Sequence, residues 1–267
     1  MQLKCRVISD KPHSAAFNMA ADQHLLSVCA LEPAVFLRLY TWETPSISIG
    51  CMQNPKTLLD KEAIAKDGVT WVRRPTGGRA VLHYEDITYS CVFSKKVIRM
   101  GASIAETYAI ISSCLIRGLE KSEISCSSHQ FLLDTKNLKQ EAKLPCYLAP
   151  NRSEIMVNGR KLVGSAQKRT AHSVLQHGSI PLTGRFRGLP LYQKLSDNKR
   201  KTFVKLLQQK CICVQECLSS YDKKNIEQNL VQGFAEILPF EMNIKPWSKA
   251  EEGEINTNAV NDSGMNI

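Results

Sequence analysis

An α+β fold built on a mostly antiparallel β-sheet core with flanking helices is what the 267-residue sequence predicts. Three observations carry this expectation. Short strand-like runs crowd the middle of the chain, and helical periodicity appears at both ends and at one crossover. Asn158-Gly159, set between two alternating runs, is the strongest short hairpin signal a sequence can hold.

A first helix is expected over 14–31, with Ser14 as its N-cap and Glu32-Pro33 as its stop. Strands follow at 35–40 and 46–51, parted by the turn signal Glu43-Thr44-Pro45, and then at 69–74, 80–83 and 87–94. Over 103–120, Ile104, Tyr108, Ile111, Leu115 and Leu119 recur at helical spacing. The polar stretch 121–145 reads as a long loop or an insertion. The hairpin strands 154–157 and 161–169 come next, followed by a strand at 173–181. Ser196 caps a helix running to about residue 209, and Ile226, Leu230 and Phe234 mark an amphipathic helix. One domain is therefore expected over 1–245, with a motif-bearing core to about 182 and a basic helical part over 184–245. The polar residues 246–267 read as a disordered tail.

Composition narrows the function. With 43% hydrophobic residues the chain is ordinary for a globular protein, which excludes global disorder. It holds no apolar run of about 18 residues that would span a membrane. Lys4 and Arg6 are followed by no apolar segment, so no signal peptide is expected. Ten scattered cysteines then read as reduced thiols in a cytoplasm. Cys211, Cys213 and Cys217 have no fourth ligand nearby, and no metal is expected there. Of the net charge of +10, the stretch 184–210 holds eight basic residues against Asp197 alone. Nucleic-acid binding, docking of an acidic protein and a merely solvated face all fit that charge.

Four segments could carry chemistry. Arg73-Arg74-Pro75-Thr76-Gly77-Gly78-Arg79-Ala80-Val81-Leu82-His83 sets two glycines and three arginines between strands. Such a loop brings backbone N–H groups close to an anion, although a tight turn on a basic surface has the same composition. Gly164-Ser165-Ala166-Gln167 interrupts a strand with small residues, marking a close approach or a bulge. Gln176-His177-Gly178 lies on the next strand. Cys146 sits between Pro145 and Pro150, outside the apolar periodicity that accounts for Cys29 or Cys114.

Together these segments resemble the biotin/lipoate ligase superfamily and, within it, the octanoyltransferase branch of the LipM type. The resemblance runs from residue 1 to about 182. It also takes in Asn18-Met19-Ala20, Asp22, Arg38, Trp42, Pro45, Ile49-Gly50, Gln53 and Gly159-Arg160-Lys161. ATP-dependent ligases of the superfamily usually carry a third glycine where this chain has Arg79, and Tyr84 stands where an acidic residue is usual. The resemblance implies a biotin/lipoate ligase-like catalytic domain that moves octanoyl from acyl carrier protein, through a thioester on Cys146, to a lysine of a lipoyl-domain protein such as the glycine cleavage H protein. It implies no cofactor, no nucleic acid and no membrane. Cys146 and Lys161 would be catalytic; Arg74, Thr76, Gly77, Gly78, Arg79, Ala80, His83, Gly164, Ser165, Ala166, Gln167, His177 and Gly178 would bind substrate.

In that scheme the Lys161 ammonium lowers the thiol pKa, and Lys161→Ala is expected to leave the fold intact. Gly77, Gly78, Gly164 and Ala166 would floor a channel for the acyl chain. Burying about six methylenes at roughly 0.8 kcal/mol each would hold that chain by about 5 kcal/mol. Three alternatives stand beside it: an ATP-dependent lipoate–protein ligase, an amidotransferase between lipoyl-domain proteins, and a binding module without catalysis. With Asn158-Gly159 as the turn, Lys161 faces Met156 across the hairpin. Cys146 reaches Lys161 only if its loop folds over the sheet.

Overall fold

A computed structural model describes residues 3–129, 144–148 and 154–263, apart from the side chains of 129, 146 and 261–263. The elements in chain order are β1 (Lys4–Ser9), α1 (Ala15–Leu31), β2 (Val35–Tyr40), β3 (Ser46–Ile49), α2 (Pro55–Leu58), α3 (Lys61–Lys66), β4 (Thr70–Arg73), β5 (Val81–His83), β6 (Asp86–Ser94), α4 (Ile104–Lys121), β7 (Ser127–His129), β8 (Glu154–Val157), β9 (Arg160–Arg169), β10 (Ser173–Pro181), α5 (Asp197–Lys210), α6 (Lys223–Ile237), β11 (Glu241–Ile244) and α7 (Lys249–Ser263). Short 3₁₀ segments lie at Cys146–Leu148 and Gly184–Tyr192.

Local chemistry sets the boundaries. Ser14 Oγ accepts from the Phe17 N–H at the start of α1, and Ser103 and Glu106 close a reciprocal capping box on α4. Asn158 and Gly159 turn β8 into β9 with φ of 48° and 72°, the positive angles a two-residue hairpin turn requires.

Eight strands form one sheet in the order β11-β1-β2-β6-β10-β9-β8-β7, antiparallel except where β1 pairs with β2 and β11. Alternation along each strand divides two cores. Leu37, Cys91 and Val174 face α4 and α6, while Phe36, Val92 and Leu175 face α1. A second sheet, β4-β3-β5, packs with α2, α3 and the 184–192 segment around Ile47, Ile49, Leu82 and Leu189. The mostly antiparallel core and its flanking helices agree with the sequence expectation.

Two features differ from it. The tail expected to be disordered is helical through Ser263: Trp247, Ile255 and Ala259 bury against α1, and Arg6 holds Glu251 at 2.6 Å. Three apolar side chains spread over thirteen residues make too weak a periodicity to announce a helix. This one forms because α1 offers it a groove. β1 and β11 are the second difference, adding a parallel edge that joins the two chain ends. Within the expected 121–145 loop, Ser127–His129 pairs with β8, and 130–143 lie outside the described residues.

Candidate active site

The site lies where the two sheets meet, and one wall is the glycine loop after β4. Arg74 is buried there, and its guanidinium donates to the carbonyls of Ser48 (3.0 Å), Gly77 (2.8 Å) and Arg79 (2.7 Å) and to Thr76 Oγ1 (3.1 Å). It ties the loop into its own shape. Gly78 takes φ of +88°, and its carbonyl oxygen sits 2.1 Å from where a Cβ on Gly50 would stand, so only glycine fits at position 50.

Two hydrogen-bonded chains run from Arg74 into the molecule. Thr76 Oγ1 accepts from Arg74 and lies 2.7 Å from His177 Nε2, while His177 Nδ1 lies 2.8 Å from Asp22. Ser48 Oγ accepts from Arg74 and lies 2.9 Å from His83 Nε2, while His83 Nδ1 lies 2.8 Å from Asp86. The partners assign the tautomers: each aspartate takes an Nδ1–H, and each hydroxyl donates to Nε2. Burial pushes the His83 imidazolium below the ordinary histidine range, with Arg74 and His177 acting in the same direction against Asp86.

The other wall is the β8–β9 hairpin. Met156 pairs with Lys161 and Ile155 with Val163, which leaves Leu162 as the extra residue of a bulge. Leu162 and Val163 therefore both enter the core beneath α4, and Lys161 comes onto the same face as Gly164. Lys161 is only 2% exposed, and its Nζ donates to Glu154 Oε1 at 2.7 Å. Burial raises the Glu154 carboxyl against the lowering effect of Lys161.

The Cys146–Leu148 turn does fold over this sheet. Tyr147 lays its ring 3.5 Å from the Cβ position of Gly164 and 5.8 Å from Lys161 Nζ, and its hydroxyl donates to the Ser179 carbonyl at 2.9 Å. The Cys146 side chain lies outside the described residues. After α5 the chain returns to the same place, where the Ile212 N–H donates to the Lys161 carbonyl at 3.0 Å.

Between the walls is a slot of about 30 Å³ lined by Met19, Tyr40, Trp42, Ser48, Arg74, Val81, His83, Thr88, Gly164, Ser165, Ala166, His177, Gly178 and Ser179. That is space for about one water. The Trp42 ring stacks on His83 at 4.0 Å and parts the slot from an outer vestibule of about 330 Å³ reaching Glu43, Tyr84, Glu85 and Lys223.

Seven of the thirteen expected binding residues line the slot: Arg74, His83, Gly164, Ser165, Ala166, His177 and Gly178. Thr76 stands behind His177. Gly77 and Gly78 do not floor the slot, because their loop turns toward Gly50 instead. Ala80 is core of the smaller sheet, Arg79 offers its carbonyl to Arg74, and Gln167 pairs with Gln176 at 2.9 Å. Sequence reasoning missed Glu154, Ser48, Asp86 and Tyr147, and quoted Asp22 without giving it a role. Glu154 was within reach: two residues before Met156, it shares the face of Lys161. Among the described residues, no group of three or more His, Cys, Asp or Glu could hold a metal ion.

The geometry can be set beside known proteins. The sequence model of the lipoyl protein ligase A/B catalytic domain matches residues 14–235. The chain belongs to that family. The octanoyltransferase LipM of Kyrpidia tusciae is 36% identical over 87% of this chain and 86% of its own length. That of Lysinibacillus sphaericus is 32% identical over 90% and 88%. Among solved structures, the bipartite lipoate protein ligase of Thermoplasma acidophilum superposes with a TM-score of 0.78 at 17% identity, covering 97% of this chain and 92% of the other, which shows a shared fold. The lipoyl protein ligase A/B match runs through α5 and α6, well past residue 182, where the resemblance was expected to fade.

Proposed function

We propose that this chain is an octanoyltransferase of lipoate synthesis that carries the acyl group on Cys146. Its LipM relatives support the octanoyl transfer. The observation that supports the cysteine route is the Tyr147 ring lying over Gly164 beside the buried Lys161–Glu154 pair, which sets the turn next to a fixed cation.

In the first half-reaction the Cys146 thiolate attacks the thioester carbonyl of octanoyl-carrier protein. The tetrahedral oxyanion collapses, the carbon–sulfur bond to the carrier breaks, and the carrier thiolate leaves and takes up a proton. In the second, the neutral ε-amine of a lipoyl-domain lysine attacks the enzyme thioester. The amide forms, the Cys146 thiolate leaves, and the amine gives up its proton. Lys161 favours the thiolate and each oxyanion, and Glu154 supplies the counter-charge that a buried ammonium needs. No cofactor enters either step. Burial supports the choice of thiol, because Cys5 and Cys114 are pushed up to about 12 and Cys213 to about 11, where thiolate is scarce at neutral pH. The unbridged thiols among the described cysteines suit a reducing cytoplasm.

The deciding experiment is the intact mass of the protein after incubation with octanoyl-carrier protein and no ATP. A hydroxylamine-labile octanoyl adduct is expected. Acylation of an acceptor only with free octanoate and ATP would make the protein a ligase instead.

A further inference from the structure

The basic stretch after residue 184 is only partly used within the fold. Arg187 pairs with Glu216, Arg185 with Glu85 and Arg200 with Asp197. Lys199, Lys201, Lys205 and Lys210 are exposed along α5, and Lys201 and Lys205 make no ion pair with any described residue. Lys210 in the last turn, like Asp197 in the first, suits the helix that carries it. Lys199, Arg200 and Lys201 crowd the N-terminal end, where the positive pole of the macrodipole disfavours cations. α7 shows the arrangement that helps a helix, with Glu251 and Glu252 in its first turn.

The inner face of α5 buries Phe203 and Leu207 against Tyr147 and Leu148 of the Cys146 turn. Lys201 and Lys205, two residues to either side of Phe203, lie on the opposite face. A partner held by those lysines is therefore separated from the turn by one helix, about 10 Å.

We propose that the outer face of α5 docks the acyl donor, an acidic carrier protein whose flexible thiol arm reaches past the helix to Cys146. The inference rests on the cysteine-transfer reading and names the surface that reading lacks. Reach selects the donor over the acceptor: an acceptor lysine has only four methylenes and cannot cross a helix diameter, whereas a carrier's long arm can. The lysines act through charge, so they speed encounter within about a Debye length and lose effect as salt rises.

The test measures acylation of the full-length protein by octanoyl-carrier protein and by a neutral thioester, octanoyl-N-acetylcysteamine. Wild type is compared with Lys201→Glu/Lys205→Glu and with the milder Lys201→Ala/Lys205→Ala, at low salt and at about 0.5 M, where the Debye length is a few ångströms. The expected readout is a fall of about tenfold in kcat/KM for the carrier relative to the neutral donor at low salt, smaller for the alanines and closing with added salt. A carrier-to-neutral ratio equal to wild type overturns the proposal. So does a loss confined to transfer from the preloaded enzyme, which would make the partner the acceptor. Loss of duplex DNA retention with the ratio intact overturns it as well. No adduct on wild type from either donor removes the cysteine-transfer reading itself, and the docking proposal with it.

Discussion

The two walls of the slot are built on opposite rules. The glycine-loop wall is a lattice of neutral and charge-assisted hydrogen bonds in which Arg74 holds three carbonyls and each of two histidines is held at both ring nitrogens. The hairpin wall offers one buried ion pair, Lys161–Glu154, and a turn packed down by α5. In the first wall a neutral bond contributes about 0.5–1.5 kcal/mol and one to a charged group about 1.5–3, and many of them share the task of holding a shape. In the second, removing one partner strands a buried charge at about 3–5 kcal/mol. Shape is distributed, and charge is concentrated. Substitutions in the hairpin wall should therefore act on the chemical step, and those in the loop wall on geometry.

The largest effect is expected at Cys146. Cys146→Ser should fold and yet form no labile adduct with a carrier-bound donor, because a serine hydroxyl is a far weaker nucleophile and Lys161 is not a base for it. Cys51→Ser is the matching change on the loop wall: Cys51 is exposed there and its N–H donates to the Thr76 carbonyl. The adduct should persist in that variant. Full activity of Cys146→Ser with free octanoate and ATP would sink the thioester route.

Lys161→Ala comes next, and here the structure corrects the sequence expectation that the fold would not suffer. The substitution leaves Glu154 buried without its cation, so a loss of about 3–5 kcal/mol in a urea titration is expected together with lost acylation. Adding Glu154→Gln should recover much of the stability and none of the rate. If the double variant regains acylation, the pair is structural and the contrast between the walls fails.

The difference between the walls also governs how much was legible beforehand. β2 and β10 match their expected runs end to end, and Met156 does face Lys161, because hairpin chemistry and alternation are local rules. The site was legible where one segment carried it: Gly164 to Ala166, and His177-Gly178. What escaped depends on contacts between distant residues. Asp22 meets His177 from 155 positions away, Ser48 meets His83 across the small sheet, and a bulge, not simple alternation, sets Lys161 beside Gly164. The parallel β1–β11 edge and α7 were hidden for the same reason, since each is stable only against a partner that comes from the far end of the chain.

A smaller effect is expected on the loop wall. Thr76→Val removes the hydroxyl between Arg74 and His177 and leaves His177 Nε2 buried without a donor, a cost of about 1–3 kcal/mol. Other bonds still hold the loop, so the rate should fall less than in Lys161→Ala. The ring-nitrogen chemical shifts of His177 should report a changed tautomer balance. Unchanged shifts, or a rate as low as that of Lys161→Ala, would show that the lattice does not share its load.

The smallest effect lies farthest from both walls, at the clasp of α7. Arg6 donates to both carboxylate oxygens of Glu251 at 2.6 and 3.0 Å, and Ser248 adds its N–H, so the Glu251 carboxyl falls from the ordinary 4.5 to about 2. A lowered folded-state value means that the unfolded chain binds more protons between those two limits. The stabilisation is complete above about 4.5 and is lost as the pH falls toward 2. Burial would raise the nearby Asp10 carboxyl, but Arg38 and the Trp247 indole outweigh it and hold it low, so Asp10 titrates with the same sign. The protection factors of the α7 amides should therefore fall on acidification before those in β6 or β10 do. Glu251→Gln should weaken that acid response and leave the smaller part that belongs to Asp10. An identical pH profile in the variant would mean that apolar contacts of Ile255 and Ala259, not the clasp, hold the helix in place.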